Sequence, residues 1–472
     1  MSSVFRLGRR LLRTGALALV LASLGSCRAA ERPVTASATM PAGSVPIDHV
    51  IVIFLENRSF DHLYGDFPGA NGLARPQSRV PQTDLEGRIY QTLPPIPAER
   101  GKSQEHPRLP ANLPNAPFLI DPFVPSNENT PSAAHRFYQH ILQINDGRMD
   151  RYVAWSGTGG LPMGRYETAK LPLYPYARRY VLADNYFTAA FGGSWLNHMW
   201  LVCACTAVFP DAPARMRAEP RFDAAGRLVG LARDGTVTPD GFAVNDLEPF
   251  ARPYAPGTPD AVRVPPQTFP TIGERLSAAA ISWAWYAGGW NNAVAGRPDP
   301  LFEYHHQPFV FFAVYAEGTR ARAQHLKDET EFMKSLGDST LPAVSYIKPL
   351  GEVDAHPGYS TVWAGETHAV EIVQAVERSP YWKRSVIIVT YDDFGGWYDH
   401  EPPLVADRWG PGGRVPALII SPWAKRGIVD STRYDHTSIL KLIEWRWGLA
   451  PLASRDAAAN NMLNAFDFTQ TP

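Results

Sequence analysis

Five stretches of the chain are apolar without polar alternation and rich in β-branched or aromatic residues: 49–54 (after its leading His49), 283–286, 343–347, 386–390 and 415–420. A strand that faces water on one side alternates; a continuous apolar run predicts a strand buried on both faces, as in a parallel sheet. Helical periodicity lies between some of these runs. Ala369, Ile372, Val373 and Val376 follow i, i+3, i+4, i+7 spacing and Pro380 closes that helix, and a second helix after Thr437 carries Ile439, Leu440, Ile443 and Trp447. Strands alternating with helices predict an α/β fold, doubly wound, with a mostly parallel sheet and helices on both faces. Residues 66–133 and 207–270 break the pattern: they are rich in proline and turn signals without a clear period, and read as long loop-rich insertions. The catalytic domain is expected over 46–465.

The first 45 residues read differently. Arg6, Arg9, Arg10 and Arg13 precede a short apolar stretch from Thr14 to Leu24, which predicts a signal peptide over 1–27 rather than a membrane span. Leu24-Gly25-Ser26-Cys27 resembles a bacterial lipobox, so Cys27 is either a lipid-tethered mature N-terminus or part of an ordinary cleavage site; Arg9-Arg10 resembles part of a twin-arginine signal. Both routes imply export, to the periplasm, to a lipid-anchored place at the envelope, or out of the cell. Residues 28–45 read as a linker. The chain has 472 residues with 45 basic against 46 acidic side chains, so no basic field points to nucleic acid. Cys203 and Cys205 are two apart, which faces them in different directions on a helix, and they are expected as buried, unbridged thiols.

Ligands of open parallel sheets gather at the carboxyl ends of strands. The first strand runs into Glu56-Asn57, and the 386–390 strand runs into Asp392-Asp393. Either pair alone could be a cap or an acidic turn. Together, three carboxylates at matched strand ends repel unless a cation neutralises them, and hard oxygen donors suit one divalent ion, whether Ca²⁺, Mg²⁺, Mn²⁺ or Zn²⁺. In Phe191-Gly192-Gly193-Ser194-Trp195, paired glycines allow a sharp turn and a serine opens a helix, where free N–H groups favour an anion. Ser194 is then a candidate nucleophile, or a plain helix cap. His135, His305, His306 and His356 are candidates for holding phosphate oxygens as cations and protonating a leaving group, which predicts activity favouring acidic pH.

Three segments then resemble one family. Ile47-Asp48-His49-Val50 through Leu55-Glu56-Asn57-Arg58-Ser59-Phe60-Asp61-His62 is similar to the opening signature of the bacterial phosphoesterases, which include respiratory-burst-inhibiting acid phosphatases and non-haemolytic phospholipases C. Tyr391-Asp392-Asp393 with Gly395-Gly396-Trp397-Tyr398-Asp399-His400 resembles its second half, and Tyr434-Asp435-His436-Thr437-Ser438 its closing helix. The resemblance implies an alkaline-phosphatase-like fold, a metal at Glu56, Asn57, Asp392 and Asp393, and Ser194 as nucleophile. It also implies phosphate-binding roles for His135, His305, His306 and His356. Serine rather than threonine at 194 resembles the acid phosphatases, so phosphate monoesters are the first expected substrates and phospholipid head-group diesters the alternative. Gly-Gly-Ser in place of Gly-Pro-Ser/Thr leaves the loop geometry open.

Overall fold

The computed structural model describes residues 45–97 and 109–471. The leader 1–27, Cys27 and nearly all of the linker lie outside the described residues. Among the described residues, no helix is long and apolar enough to cross a membrane.

The core is an eight-stranded sheet: β1 (His49–Leu55), β2 (Val181–Ala183), β3 (Trp283–Ala287), β4 (Leu326–Asp328), β5 (Val344–Lys348), β6 (Ser385–Tyr391), β7 (Ala417–Ile420) and β8 (Ile428–Asp430), ordered β8-β2-β7-β6-β1-β5-β3-β4. Every residue of β3, β5 and β6 is buried, so both faces of the sheet are covered, as their uninterrupted apolar character requires. All pairings are parallel except those of β7, which runs antiparallel to both β6 and β2. The expected strand 415–420 is therefore shorter and reversed. The chain leaves β6 at Tyr391, loops at that end of the sheet and re-enters beside Thr390, which pairs with Ala417, so β7 can only run back. Pro416, with no N–H to give, sits just before it. The short strands β4 and β8 carry no apolar run and were not foreseen.

Five helices bear on the site: α1 (Phe60–Tyr64), α2 (Phe137–Ile144), α3 (Ser194–Cys203), α4 (Val362–Arg378) and α5 (His436–Trp447). Helix α4 buries Ala369, Ile372, Val373 and Val376, the stripe its spacing predicts, with Thr361 as N-cap. The 207–270 segment carries a small hairpin, Glu219–Phe222 against Leu228–Arg233.

Cys203 and Cys205 form a disulfide, against expectation. Cys203 ends α3 and Ala204 adopts a left-handed conformation (φ 48°), which folds the chain back and brings the two Cα atoms to 5.1 Å. The helical geometry that would separate them stops one residue too soon.

Candidate metal centre and nucleophile

Register puts the two acidic pairs side by side. β1 and β6 pair in parallel through Leu55 and Tyr391, so Glu56-Asn57 and Asp392-Asp393 leave adjacent strands at one level. Asp392 N–H donates to the Leu55 carbonyl (3.0 Å) and Asn57 N–H to Asp392 Oδ1 (3.1 Å). Asn57 holds φ 57°, a left-handed conformation that asparagine tolerates better than most residues. It lets Glu56 and Asn57 turn both side chains toward Asp392 and Asp393, and all four residues are fully buried.

Asn57 Oδ1 faces four other oxygens: Glu56 Oε2 at 2.7 Å, Asp392 Oδ1 at 2.9 Å, Asp393 Oδ2 at 3.1 Å and Ser194 Oγ at 3.3 Å. Only the serine has a proton to share. Five oxygens this close repel unless a cation lies among them, so the donor set fits one hard divalent ion. Turned over, the amide would donate to the carboxylates instead. Its present orientation is also the one His135 supports. His135 Nδ1 is 2.7 Å from the Ala133 carbonyl, which requires an N–H there and leaves Nε2 as the acceptor for Asn57 Nδ2 at 3.2 Å.

Electrostatics point the same way. Burial first, then the Glu56 charge, pushes the Asp392 carboxyl well up; burial, then Asp392 and Glu56, does the same to Asp393. Glu56 is held well below the usual range: burial works against it, but Lys348 and His306 outweigh burial. Without further positive charge the three cannot all stay ionised.

Ser194 is the first residue of α3, not its N-cap, and its Oγ is not spent on capping. It donates to Glu56 Oε2 at 2.9 Å. The glycine turn before it is sterically required. Gly192 holds φ 99°, and a Cβ at Gly193 would meet the His135 carbonyl oxygen at 3.0 Å. One turn into the helix, His198 Nδ1 lies 2.5 Å from the Ser194 carbonyl oxygen.

The expected histidines do gather here. His306 Nε2 is 3.0 Å from Glu56 Oε1, and His305 stands edge-on to it with ring centroids 4.7 Å apart. His356 Nε2 is 2.8 Å from the Asn57 amide, and its ring lies 5.6 Å from that of His135. His135 lies two residues before α2 rather than inside it. The expectation of cationic histidines needs revision for two of them. Burial pushes His306 and His356 down to about 3, so both are neutral at ordinary pH and offer N–H groups rather than charge. His356 Nδ1 is buried with no partner although the residue as a whole keeps some exposure, which leaves it ready for a ligand oxygen.

Sequence reasoning missed Lys348. It ends β5 fully buried, its Nζ in contact with Glu56 Oε1 and 3.6 Å from Asp392 Oδ2. A lone lysine closing an apolar strand gives little signal beyond its position at the carboxyl end. Arg58, passed over within the signature, clamps the His356 loop by donating from Nε and Nη2 to the Ala355 carbonyl (3.1 and 2.8 Å). Three other signature residues lie apart from the cage. Asp61, Asp399 and His400 form a separate buried cluster whose positive charge is Arg414, 3.0 Å from each aspartate.

A model of a family described as the phosphoesterase family matches residues 47–450. The chain is 25% identical to a hemolytic phospholipase C of Pseudomonas aeruginosa over 98% of its own length and 62% of the relative's. It is 25% identical to a non-hemolytic phospholipase C of Burkholderia pseudomallei over 90% of its length and 59% of the relative's. Phospholipase C B of Mycobacterium tuberculosis is also 25% identical, over 92% and 80%. The chain thus spans about 60% of the first two relatives. Among solved structures, a protein in the alkaline phosphatase superfamily from Vibrio parahaemolyticus aligns over 71% of this chain and 74% of that one, with 11% identity and a TM-score of 0.34.

Proposed function

The chain belongs to the phosphoesterase family, and from that premise we propose that it hydrolyses phosphate esters with Ser194 as nucleophile. One observation carries this reading: the Ser194 hydroxyl, at a helix start, points into a cage of oxygens from Glu56, Asn57, Asp392 and Asp393. Those four side chains would hold one divalent ion, which when bound lowers the pKa of an oxygen beside it and offsets charge on phosphate oxygens.

The chain's own residues do the rest. The Ser194 hydroxyl, held in line by its hydrogen bond to Glu56 Oε2, loses its proton to solvent as Oγ bonds to phosphorus and the ester oxygen departs. The neutral Nδ1–H of His356 holds an equatorial oxygen as charge builds there, with His305 beside the site and His306 holding Glu56 Oε1. His305, part-exposed, is placed to pass a proton to the leaving alkoxide, while His135 holds the Asn57 amide. Water then attacks the phosphoserine, releasing phosphate and restoring the serine.

Phosphate monoesters are the first substrate class, on the serine at 194. A second reading, phospholipid diesters, is favoured by the names of the relatives that match over most of this chain. Export through the 1–27 leader, with or without a lipid on Cys27, belongs to the same proposal. The test compares wild type, Ser194→Ala and Asp392→Ala on p-nitrophenyl phosphate, bis(p-nitrophenyl) phosphate and phosphatidylcholine. Both variants should lose activity on every substrate, and full activity in Ser194→Ala contradicts the nucleophile. Preference for the diester or the lipid selects the second reading.

A further inference from the structure

We propose that the Lys348 ammonium is a built-in second cation, standing where a second divalent ion would bind between Glu56 and Asp392 and so limiting the centre to one metal. The inference rests on the reading of the oxygen cage as a metal site.

Glu56 and Asp392 each face two ways. Glu56 Oε2 turns to Ser194 and the Asn57 oxygen, while Oε1 turns to Lys348 and His306. Asp392 Oδ1 accepts from the Asn57 and Asp393 N–H groups and faces the cage, while Oδ2 faces Lys348 at 3.6 Å and has no hydrogen-bond partner. Two carboxylates with one oxygen each toward two positions are how paired cations are bridged. One position is the cage; the lysine stands in the other.

The surroundings of the lysine are ligands in waiting. Glu56, His198 and Asp392 offer atoms within 4.8 Å of one another, and so do Glu56, His305 and His306. His198 commits Nδ1, 4.0 Å from Asp392 Oδ2, to the Ser194 carbonyl, and its Nε2 is buried without a partner. Oxygen and imidazole donors in this mixture suit Mn²⁺ or Zn²⁺. Backbone register holds the lysine there. Ile347 pairs with Ile53, so Lys348 stands level with Phe54, two residues before the cage begins, and its Nζ lies 5.5 Å from that ring. Counted over the cage carboxylates alone, the three charges of Glu56, Asp392 and Asp393 match one divalent ion plus one ammonium. A second divalent ion beside the ammonium would leave an excess of positive charge in a buried site, which is costly.

The test counts metal in wild type and Lys348→Ala after saturation with Mn²⁺ and removal of free ion, with circular dichroism as the check on folding. Wild type should hold one ion per chain, and Lys348→Ala two, as a spin-coupled pair by electron paramagnetic resonance. A wild type with no ion brings down the metal reading and this inference with it. One ion in both proteins leaves the metal reading standing and overturns the inference, as do two ions in wild type. Should Lys348→Ala not fold, Lys348→Gln decides: it fills the place without charge, and competition with a chelator should show the single ion held at least about tenfold tighter, because a like charge is gone. Unchanged or weaker binding there overturns the inference.

Discussion

Gly395 passes so close to Asn57 that a Cβ on it would lie 2.3 Å from the Asn57 carbonyl oxygen. The contact joins the two halves of the site, since Asn57 follows β1 and Gly395 follows Asp392-Asp393. Gly395 also holds φ 62° and gives its N–H to Asp393 Oδ1 at 2.5 Å. Gly395→Ala is therefore expected to cost at least about 2 kcal/mol, from backbone strain and steric overlap together. It should weaken metal binding by displacing Asn57. Denaturant unfolding and metal titration of the same variant check both effects.

Removing the metal should destabilise as well as inactivate. An ion present at about 100 times its Kd adds about 2.7 kcal/mol to a fold that alone can bind it. Chelation should lower Tm and abolish turnover, and adding back Ca²⁺, Mg²⁺, Mn²⁺ or Zn²⁺ one at a time should restore both and identify the ion. A Tm and rate indifferent to chelator would contradict the cage.

The structural support of the site should titrate. Glu366, fully buried on α4, accepts from Leu173 N–H at 2.9 Å and the Tyr391 hydroxyl at 3.1 Å, and burial pushes it up to about 7. Its folded value lies above its unfolded value, so the neutral form belongs to the folded state. Stability is then full below the unfolded pKa near 4 and falls as pH rises toward 7, by roughly 3 kcal/mol. Glu366→Gln should flatten that fall in unfolding free energy between about pH 5 and 7. An unchanged slope would assign the titration to another group.

Residues 203 and 205 should give no free thiol when the protein is denatured without reductant, and two after reduction. The bond closes a very short loop, so reduction is expected to cost only about 1–2 kcal/mol. Two thiols without reductant would mean that the cysteines stay apart.

What the sequence made legible follows from the physics of each signal. Uninterrupted apolar runs marked the central strands, and the ends of β1 and β6 located Glu56, Asn57, Asp392 and Asp393, because a parallel register turns equal strand ends into neighbours. The reversal of β7 was not legible, since an apolar run has no direction. The disulfide was hidden because it depends on Ala204 leaving the helix. Lys348 was hidden because its partners are close only in space, and it stands 292 positions after Glu56. The four histidines gather beside the serine, but their charge was not legible. Burial sets it, and burial pushes His306 and His356 toward the neutral form.

In the proposed reaction Ser194, hydrogen-bonded to Glu56, attacks phosphorus. Acid quenching during turnover of p-nitrophenyl phosphate, followed by peptide mass analysis, measures it most directly. If the first substrate does not turn over, the lipid diester takes its place. One added phosphoryl group, or phosphoryl ester, is expected on the peptide bearing Ser194, and none in Ser194→Ala. A covalent phosphorus on another residue, or full turnover by Ser194→Ala, would contradict it.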